Sequence, residues 1–248
     1  ILGVLLILRD ISREEHLSRL RSDFVSNVTH ELKTPLTSVQ LFTESIILDR
    51  VKSEADKKEY LRIILKETES LKRMINNILE FSKTEKGKLE YKFEEVNVTD
   101  LVNMAINDLD YWLVEKGFIL KTQIEDDVIA SADQDALKQA IINLLSNAIK
   151  FSRNKKEVSV GLRKENGEIR LEVEDKGIGI PEDQQDLIFE AFYRVGQKDA
   201  EDISGTGLGL TVVKEIIEAH HGRIFVESQL NEGSKFTIIL NSNQEKTG

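Results

Sequence analysis

Asp175-Lys176-Gly177-Ile178-Gly179-Ile180-Pro181 ends one predicted strand, and Gly205-Thr206-Gly207-Leu208-Gly209-Leu210 runs straight into a predicted helix. The reading of this pair decides the fold of the C-terminal part. Glycine lets a backbone approach a ligand closely, and a helix start offers unpaired N–H groups and a dipole that favour phosphate. The stretch between them carries no clear strand, and long loops of that kind are lids or binding loops. Upstream lies Asn143-Leu144-Leu145-Ser146-Asn147-Ala148-Ile149-Lys150, whose two amides are four positions apart and so share one helix face. Amides inside an apolar helix need partners, and an amide oxygen at Asn143 suits magnesium, which takes oxygen ligands and keeps several waters. Either glycine cluster alone would suit a plain turn. Together, behind the asparagine pair, they read as a nucleotide site.

Outward from this site the pattern alternates between strand and helix. Leu89–Val98 alternates as a strand, Thr99 and Asp100 open a helix through Val114, and strands follow at Phe118–Ile124 and Val128–Ala130. A helix from Asp133 to Phe151 precedes strands at Glu157–Arg163 and Ile169–Glu174, joined by Asn166-Gly167, a hairpin signal. A helix at Leu208–His220 and strands at Arg223–Ser228 and Lys235–Leu240, with a turn at Asn231 and Gly233, complete the set. Interleaved helices with mostly antiparallel strands predict a two-layer α/β sandwich. His220-His221-Gly222 could suggest a metal pair, but adjacent helical positions point about 100° apart, so the trio reads as a helix C-cap.

The N-terminal part is helical. In Phe24-Val25-Ser26-Asn27-Val28-Thr29-His30-Glu31-Leu32-Lys33-Thr34-Pro35-Leu36-Thr37-Ser38, the residues Phe24, Val28 and Leu32 recur every four positions and leave His30 facing solvent. Pro35 removes a backbone donor and predicts a kink after His30. Apolar residues resume at Val39, Phe42, Ile46 and Ile47, a polar turn spans Leu48–Asp56, and a second amphipathic helix runs from Tyr60 through Leu79 to near Gly87. Two such helices form a hairpin that cannot cover its own apolar face, so a homodimeric four-helix bundle is expected. Ahead of it, Ser12 and Glu15 read as a capping box, Leu17, Leu20 and Phe24 as a coiled-coil seam, and His16 as solvated. Ile1–Leu8 is too short to span a bilayer and lacks the flanks of a secretory signal. It resembles the exit of a PAS-type sensor domain, although an expression remnant or the last turn of a membrane helix fits too. A net charge of −10 argues against a general nucleic-acid binder, and the absence of cysteine excludes disulfides, thiolate metal sites and a cysteine nucleophile.

These motifs, in this order, resemble the sensor histidine kinases of two-component signalling, with the second domain similar to the ATP-binding fold of the Hsp90, MutL and gyrase group. The resemblance covers roughly residues 17 to 241. It implies an upstream sensor end over 1–11, a signalling helix with dimerisation and phosphotransfer hairpin over 12–86, and a GHKL-type ATP-binding domain over 87–248. His30 to Pro35 looks like the phosphoacceptor box, Asn143 to Phe151 the asparagine box, and Phe189 to Arg194 the phenylalanine box. The implied ligands are ATP and magnesium. Asn143 would hold the metal, Asn147 and Lys150 would lie near the phosphates, and Phe151 beside the nucleotide, where many relatives carry Tyr. Asp175 would accept from the adenine amino group. Gly177, Gly179, Ile180 and Phe192 would line the pocket with Gly205, Thr206, Gly207, Leu208, Gly209 and Leu210. His30 would take the phosphoryl group and pass it to the receiver domain of a response regulator.

Residue chemistry fits that expectation. A histidine near its ordinary pKa of about 6.5 is substantially neutral at pH 7 and offers a lone pair, and Glu31 can hold the other ring N–H or act as a base. Thr34 resembles the family position that orients water for dephosphorylating the regulator, and equally suits a plain helix residue before Pro35. Arg194 has the charge to steady the γ-phosphate, and also suits a plain surface arginine. A gyrase-type ATPase would need a glutamate one turn before Asn143; Gln139 stands there, and an amide cannot take a proton. A serine kinase of the anti-sigma type would lack the phosphoacceptor hairpin, and an inactive scaffold would not need Asn143, Asp175 and both glycine boxes. The chain is expected to be a cytoplasmic piece of a longer protein that meets a membrane only through upstream segments.

Overall fold

The computed structural model describes residues 25–26, 28–85, 91–152, 155–195 and 207–242. The expected sensor exit over 1–11, the Ser12–Glu15 box, His16, the Leu17–Leu20–Phe24 seam, Gly87, Leu89, Gly205 and Thr206 lie outside the described residues. Two compact units are present, the first carrying the two long helices and the second the sheets. Among the described residues no helix is long and apolar enough to cross a membrane.

In the first unit, α1 runs through residues 28–47 and continues helical past Pro35, which is itself buried. The hydroxyls of Thr29, Thr34, Thr37 and Thr43 each donate to the carbonyl four residues back, a habit that tends to bend helices. α1 ends where Asp49 takes a left-handed φ of 50°, while Arg50 N–H reaches Ser45 O at 3.0 Å and Asp49 N–H reaches Ile46 O at 3.2 Å. That is the Schellman arrangement. The turn is shorter than the Leu48–Asp56 stretch predicted, because Ser53 caps α2 (Glu54–Glu85) through bonds to Ala55 N–H (3.1 Å) and Asp56 N–H (3.4 Å). Phe42 meets Tyr60 edge-on at 4.7 Å to lock the hairpin. Along α2, Tyr60, Ile64, Glu67, Leu71, Met74 and Ile78 are half-buried, whereas Leu61, Leu65, Thr68, Lys72, Ile75 and Leu79 are exposed. The exposed set alternates spacings of four and three, the seam of a coiled coil.

In the second unit, β1 (Glu94–Asn97) pairs antiparallel with β3 (Ile129–Ala132) in a small sheet. The main sheet has the order β2-β4-β5-β7-β6 over Ile119–Ile124, Glu157–Glu165, Glu168–Asp175, Gly233–Asn241 and Arg223–Gln229. β2 and β4 are parallel, and every other pair is antiparallel. Val158, Val160 and Leu162 of β4 and Ile169, Leu171 and Val173 of β5 form one buried face. The helices α3 (Val98–Glu115), α4 (Gln134–Phe151) and α5 (Gly209–Ala219) supply Leu101, Leu137, Ile141, Leu144, Ile216 and Ile217 to the same core. Each such side chain contributes about 1.5–3 kcal/mol on burial. The expected helical hairpin followed by a two-layer sandwich is the architecture observed.

Local differences have identifiable causes. The first strand is shorter than Leu89–Val98, because Asn97 caps α3 through Asp100 N–H at 3.2 Å and Val98 is already helical. Thr99 is no cap. Its hydroxyl donates to Glu125 O at 2.7 Å and accepts from Val128 N–H at 3.2 Å. Asp133 does cap α4, through Ala136 N–H at 3.0 Å. Its other oxygen accepts from Lys92 N–H at 2.9 Å, and its own N–H donates to His220 Nε2 at 2.9 Å.

His220 therefore exceeds the cap role predicted for it. It is 1% exposed, bonds Ile216 O through Nδ1 at 2.7 Å, and clusters with the rings of Tyr91 (5.4 Å) and Phe93 (4.9 Å). The left-handed residue of the α5 cap is His221, at φ 54°, rather than Gly222. Burial holds His220 below the ordinary histidine pKa, against the opposing pull of the Ile216 carbonyl and Asp133. On acidification the unfolded chain is thus protonated first, so this contribution to stability is complete above pH about 6.5 and declines below it. His220→Phe leaves the Asp133 N–H without its acceptor and is expected to cost about 1–3 kcal/mol at pH 7.5. Thermal melting of both chains from pH 7.5 to 5.5 should show the gap between them narrowing with acid; a constant gap would refute the linkage.

Candidate functional site

Asp175 is the last residue of β5 and falls on the buried side of that strand, in line with Ile169, Leu171 and Val173 and opposite Val158. The hydrophobic register thus delivers a carboxylate to the edge of the core. It accepts from Gly177 N–H at 2.7 Å and from the Ser152 hydroxyl at 3.5 Å, and Ser234 N–H adds a third donor. Burial nevertheless outweighs these donors and pushes its carboxyl up to about 6, with the Glu174 charge adding to the rise. It remains mostly ionised at neutral pH, a partly desolvated acceptor held in one place.

The loop after Asp175 is fixed by the protein itself. A Cβ on Gly177 would lie 2.4 Å from Phe151 O, and one on Gly179 (φ +69°) would lie 2.0 Å from Gln229 O. These glycines are required by contacts with the end of α4 and with the β6–β7 turn, before any ligand is considered. Asn231 N–H donates to Ile178 O at 2.8 Å, Ile180 N–H to Ser228 Oγ at 2.8 Å, and Ser228 Oγ to Gly233 O at 2.8 Å. Gln185 adds donations to Ile180 O (3.2 Å) and Ser228 O (2.9 Å).

α4 presents Asn143, which is 6% exposed, and one turn later the half-buried Asn147. Asn143 Nδ2 donates to Gly209 O at 3.4 Å, and Gln139 Nε2 donates to Asn143 Oδ1 at 3.1 Å. Asn143 therefore joins α4 to the first residue of α5. Lys150 lies 5.2 Å from the centre of the Phe151 ring, and both are half-buried at the end of α4. Gly207 (φ +71°) and the fully buried Leu208 lead into Gly209 and Leu210. In the Phe189–Arg194 stretch, Phe189 meets Phe236 edge-on at 6.4 Å and Tyr193 OH donates to Gln184 Oε1 at 3.1 Å. Phe192 adopts a left-handed φ of 71°, uncommon for a bulky residue, and Arg194 is half-buried.

The helical unit presents its own group. His30 is exposed on α1 with Val28 and Leu32 half-buried on the other side, and Glu31 follows it, half-buried. Thr34 Oγ1 donates to the His30 carbonyl at 3.3 Å.

Two family models match the chain: the His Kinase A (phospho-acceptor) domain over residues 20–87, and the histidine kinase-, DNA gyrase B- and HSP90-like ATPase over 132–244. The chain belongs to the sensor histidine kinases. Sensor protein kinase WalK of Staphylococcus saprophyticus is 33% identical over 240 residues, which cover 96% of this chain and 39% of that protein. WalK of Staphylococcus aureus is 32% identical over 240 residues, covering 96% of this chain and 58% of that protein. The chain thus spans less than two thirds of the length of each of these relatives. Among solved structures, histidine kinase ThkA in complex with the response regulator protein TrrA matches at 25% identity with a TM-score of 0.60, covering 94% of this chain and 65% of that one. The Acinetobacter baumannii histidine kinase AdeS shares the fold at 24% identity and a TM-score of 0.59, covering 87% of this chain and 98% of its own.

Of the residues singled out in the sequence, Asn143 and the α5 start are brought into hydrogen-bonding contact, and Asp175 sits with Gly177 at the end of α4. Sequence reasoning missed Ser152, Ser228 and Ser234. Ser152 directly follows the asparagine motif and could have been noticed there; the other two lie far along the chain and carry no local signal. Gly179→Ala is expected to cost at least about 2 kcal/mol, from overlap added to left-handed strain. Gly167→Ala, at φ +82° with no neighbour within 4 Å, should lose only about 1 kcal/mol. Urea unfolding followed by circular dichroism compares them; equal losses would mean the Gln229 contact is immaterial.

Proposed function

We propose that this chain is an ATP-dependent protein-histidine kinase that phosphorylates its own His30 and passes the phosphoryl group to an aspartate of a response regulator. The observation carrying this reading is an exposed histidine beside a carboxylate on one unit, in a chain whose other unit holds a partly desolvated acceptor at Asp175 and an oriented amide at Asn143. The matches to WalK and to ThkA with its regulator support it. Asp175 would receive the adenine amino group, with Gly177, Gly179, Ile180 and Phe151 around the base. Asn147, Lys150, Arg194 and the second glycine cluster, Gly205, Thr206, Gly207, Leu208, Gly209 and Leu210, would face the phosphates, and Phe192 would lie near them.

Phosphoryl transfer asks a protein mainly for position and charge stabilisation. The His30 Nε2 lone pair attacks the γ-phosphorus, an N–P bond forms, the β–γ bridging P–O bond breaks, and ADP departs. The Nδ1 proton of the resulting ring is held or taken by Glu31. An aspartate oxygen of the regulator then attacks phosphorus and the N–P bond breaks. Thr34 spends its hydrogen on the His30 carbonyl, so toward a water it acts as acceptor; that arrangement suits dephosphorylation of the regulator as a second activity.

Magnesium fits the residues present. Among the described residues no group of three or more His, Cys, Asp or Glu side chains is placed to hold a metal ion, and a cation bound through one amide oxygen, waters and phosphates needs none. Asn143 would hold it, and it would neutralise charge on the transferring phosphate. The absence of a carboxylate at Gln139 disfavours water as the acceptor.

Incubation with γ-labelled ATP and magnesium should give acid-labile, alkali-stable label on the native chain. His30→Gln should abolish it and Asn143→Ala should lower it at least a hundredfold; label that survives His30→Gln sinks the proposal. We also propose that the exposed seam of α2 is covered by a second copy in a four-helix bundle. Leu65, 60% exposed, sits in that seam, and Leu65→Glu is expected to shift the chain from dimer to monomer in sedimentation equilibrium. A native chain already monomeric at high concentration would exclude the bundle.

A further inference from the structure

We infer that Gln139 is a positioning residue that, together with the Gly209 carbonyl, holds the Asn143 amide in one orientation toward the magnesium side of the nucleotide site. This rests on the assignment of Asn143 to the metal proposed above. A side-chain amide has one acceptor oxygen and one donor nitrogen, and its orientation is decided by what each end meets. Toward α5, Asn143 meets the Gly209 carbonyl at 3.4 Å, which only accepts, so Nδ2 must face it. Toward its own helix, Oδ1 then accepts from Gln139 Nε2 at 3.1 Å, the end of the glutamine amide that matches it. Both contacts require the same orientation, and Asn143 is buried, so solvent does not compete for either end.

The choice of glutamine follows from this geometry. An ionised carboxylate at position 139 could not donate to Oδ1, and an apolar side chain would likewise leave Oδ1 without this donor. Gln139 thus does more than omit a water-activating base, as its donor holds the asparagine oxygen in the direction that the first turn of α5 sets. Partners of this kind, one bond removed from a metal, typically change metal affinity tenfold to a hundredfold when replaced.

The test is ADP binding to the full chain by calorimetry, in magnesium and in EDTA. Gln139→Met keeps the length of the side chain without the donor, and Gln139→Leu is a second variant of similar bulk. Both are expected to weaken binding about tenfold in magnesium and less than twofold in EDTA. Placed on Asn143→Ala, Gln139→Met should add nothing, because a positioning residue has no effect once the group it positions is gone. Equal losses in magnesium and EDTA, an additive loss on Asn143→Ala, no loss at all, or failure of both variants to fold would overturn the assignment. A wild-type affinity indifferent to magnesium would instead overturn the metal role of Asn143, and this inference with it.

Discussion

A carboxylate delivered to the edge of a hydrophobic sheet face must be surrounded by donors or be neutralised. Asp175 is in this position because β5 alternates strictly, so its last residue continues the row of Ile169, Leu171 and Val173. Meeting the demand recruits three separate parts of the chain. Ser152 comes from the end of α4, Gly177 from the loop that follows, and Ser234 from the start of β7. The close approach of the β6–β7 turn, which leaves no room for a side chain at Gly179 or Gly233, follows from the same demand. Gly177 and Gly233 are likewise tied to this residue, since a Cβ on either would overlap Asp175.

The two units balance opposite requirements. The sandwich hides its chemistry among packed residues, where the Asn143 amide and the Ser152 and Ser228 hydroxyls have assigned directions. The hairpin displays its histidine on an exposed helix face, beside a carboxylate and one turn before a threonine that bonds back to it. Under the proposed function, a nucleophile that serves first a nucleotide and then a second protein benefits from exposure, whereas a nucleotide site gains selectivity from donors and acceptors that cannot turn.

Much of this was legible because its causes are local. Asn166-Gly167 announces its hairpin, and both residues do take left-handed φ values of 52° and 82°. Asp133 marks the start of α4 by cap chemistry, and Asn143 and Asn147 declare a shared face by spacing. Misreadings arose where a local pattern served a distant partner. Leu89, Tyr91 and Phe93 alternate like a strand, yet Tyr91 and Phe93 do so because they cluster with His220. Thr99 looks like a cap but bridges Glu125 and Val128. Gln139 could be read only as a missing carboxylate until its hydrogen bond to Asn143 was in view. Ser228 acts on Ile180, 48 positions back, and Ser234 on Asp175, 59 positions back, beyond the reach of any periodicity.

The bonds at the two ends of α5 have a joint consequence. Its first residue is tied to Asn143, and His220 just beyond its last is tied to the backbone at the head of α4. The span from Asp133 to Asn143 is about 15 Å and that from Gly209 to His220 about 16 Å at 1.5 Å per residue. The two helices are therefore riveted at matching separations. Adding or deleting one residue in α5 would rotate one rivet by about 100° and shift it by about 1.5 Å, so that both could not close. The length of this helix between the two rivets is consequently locked to a single count.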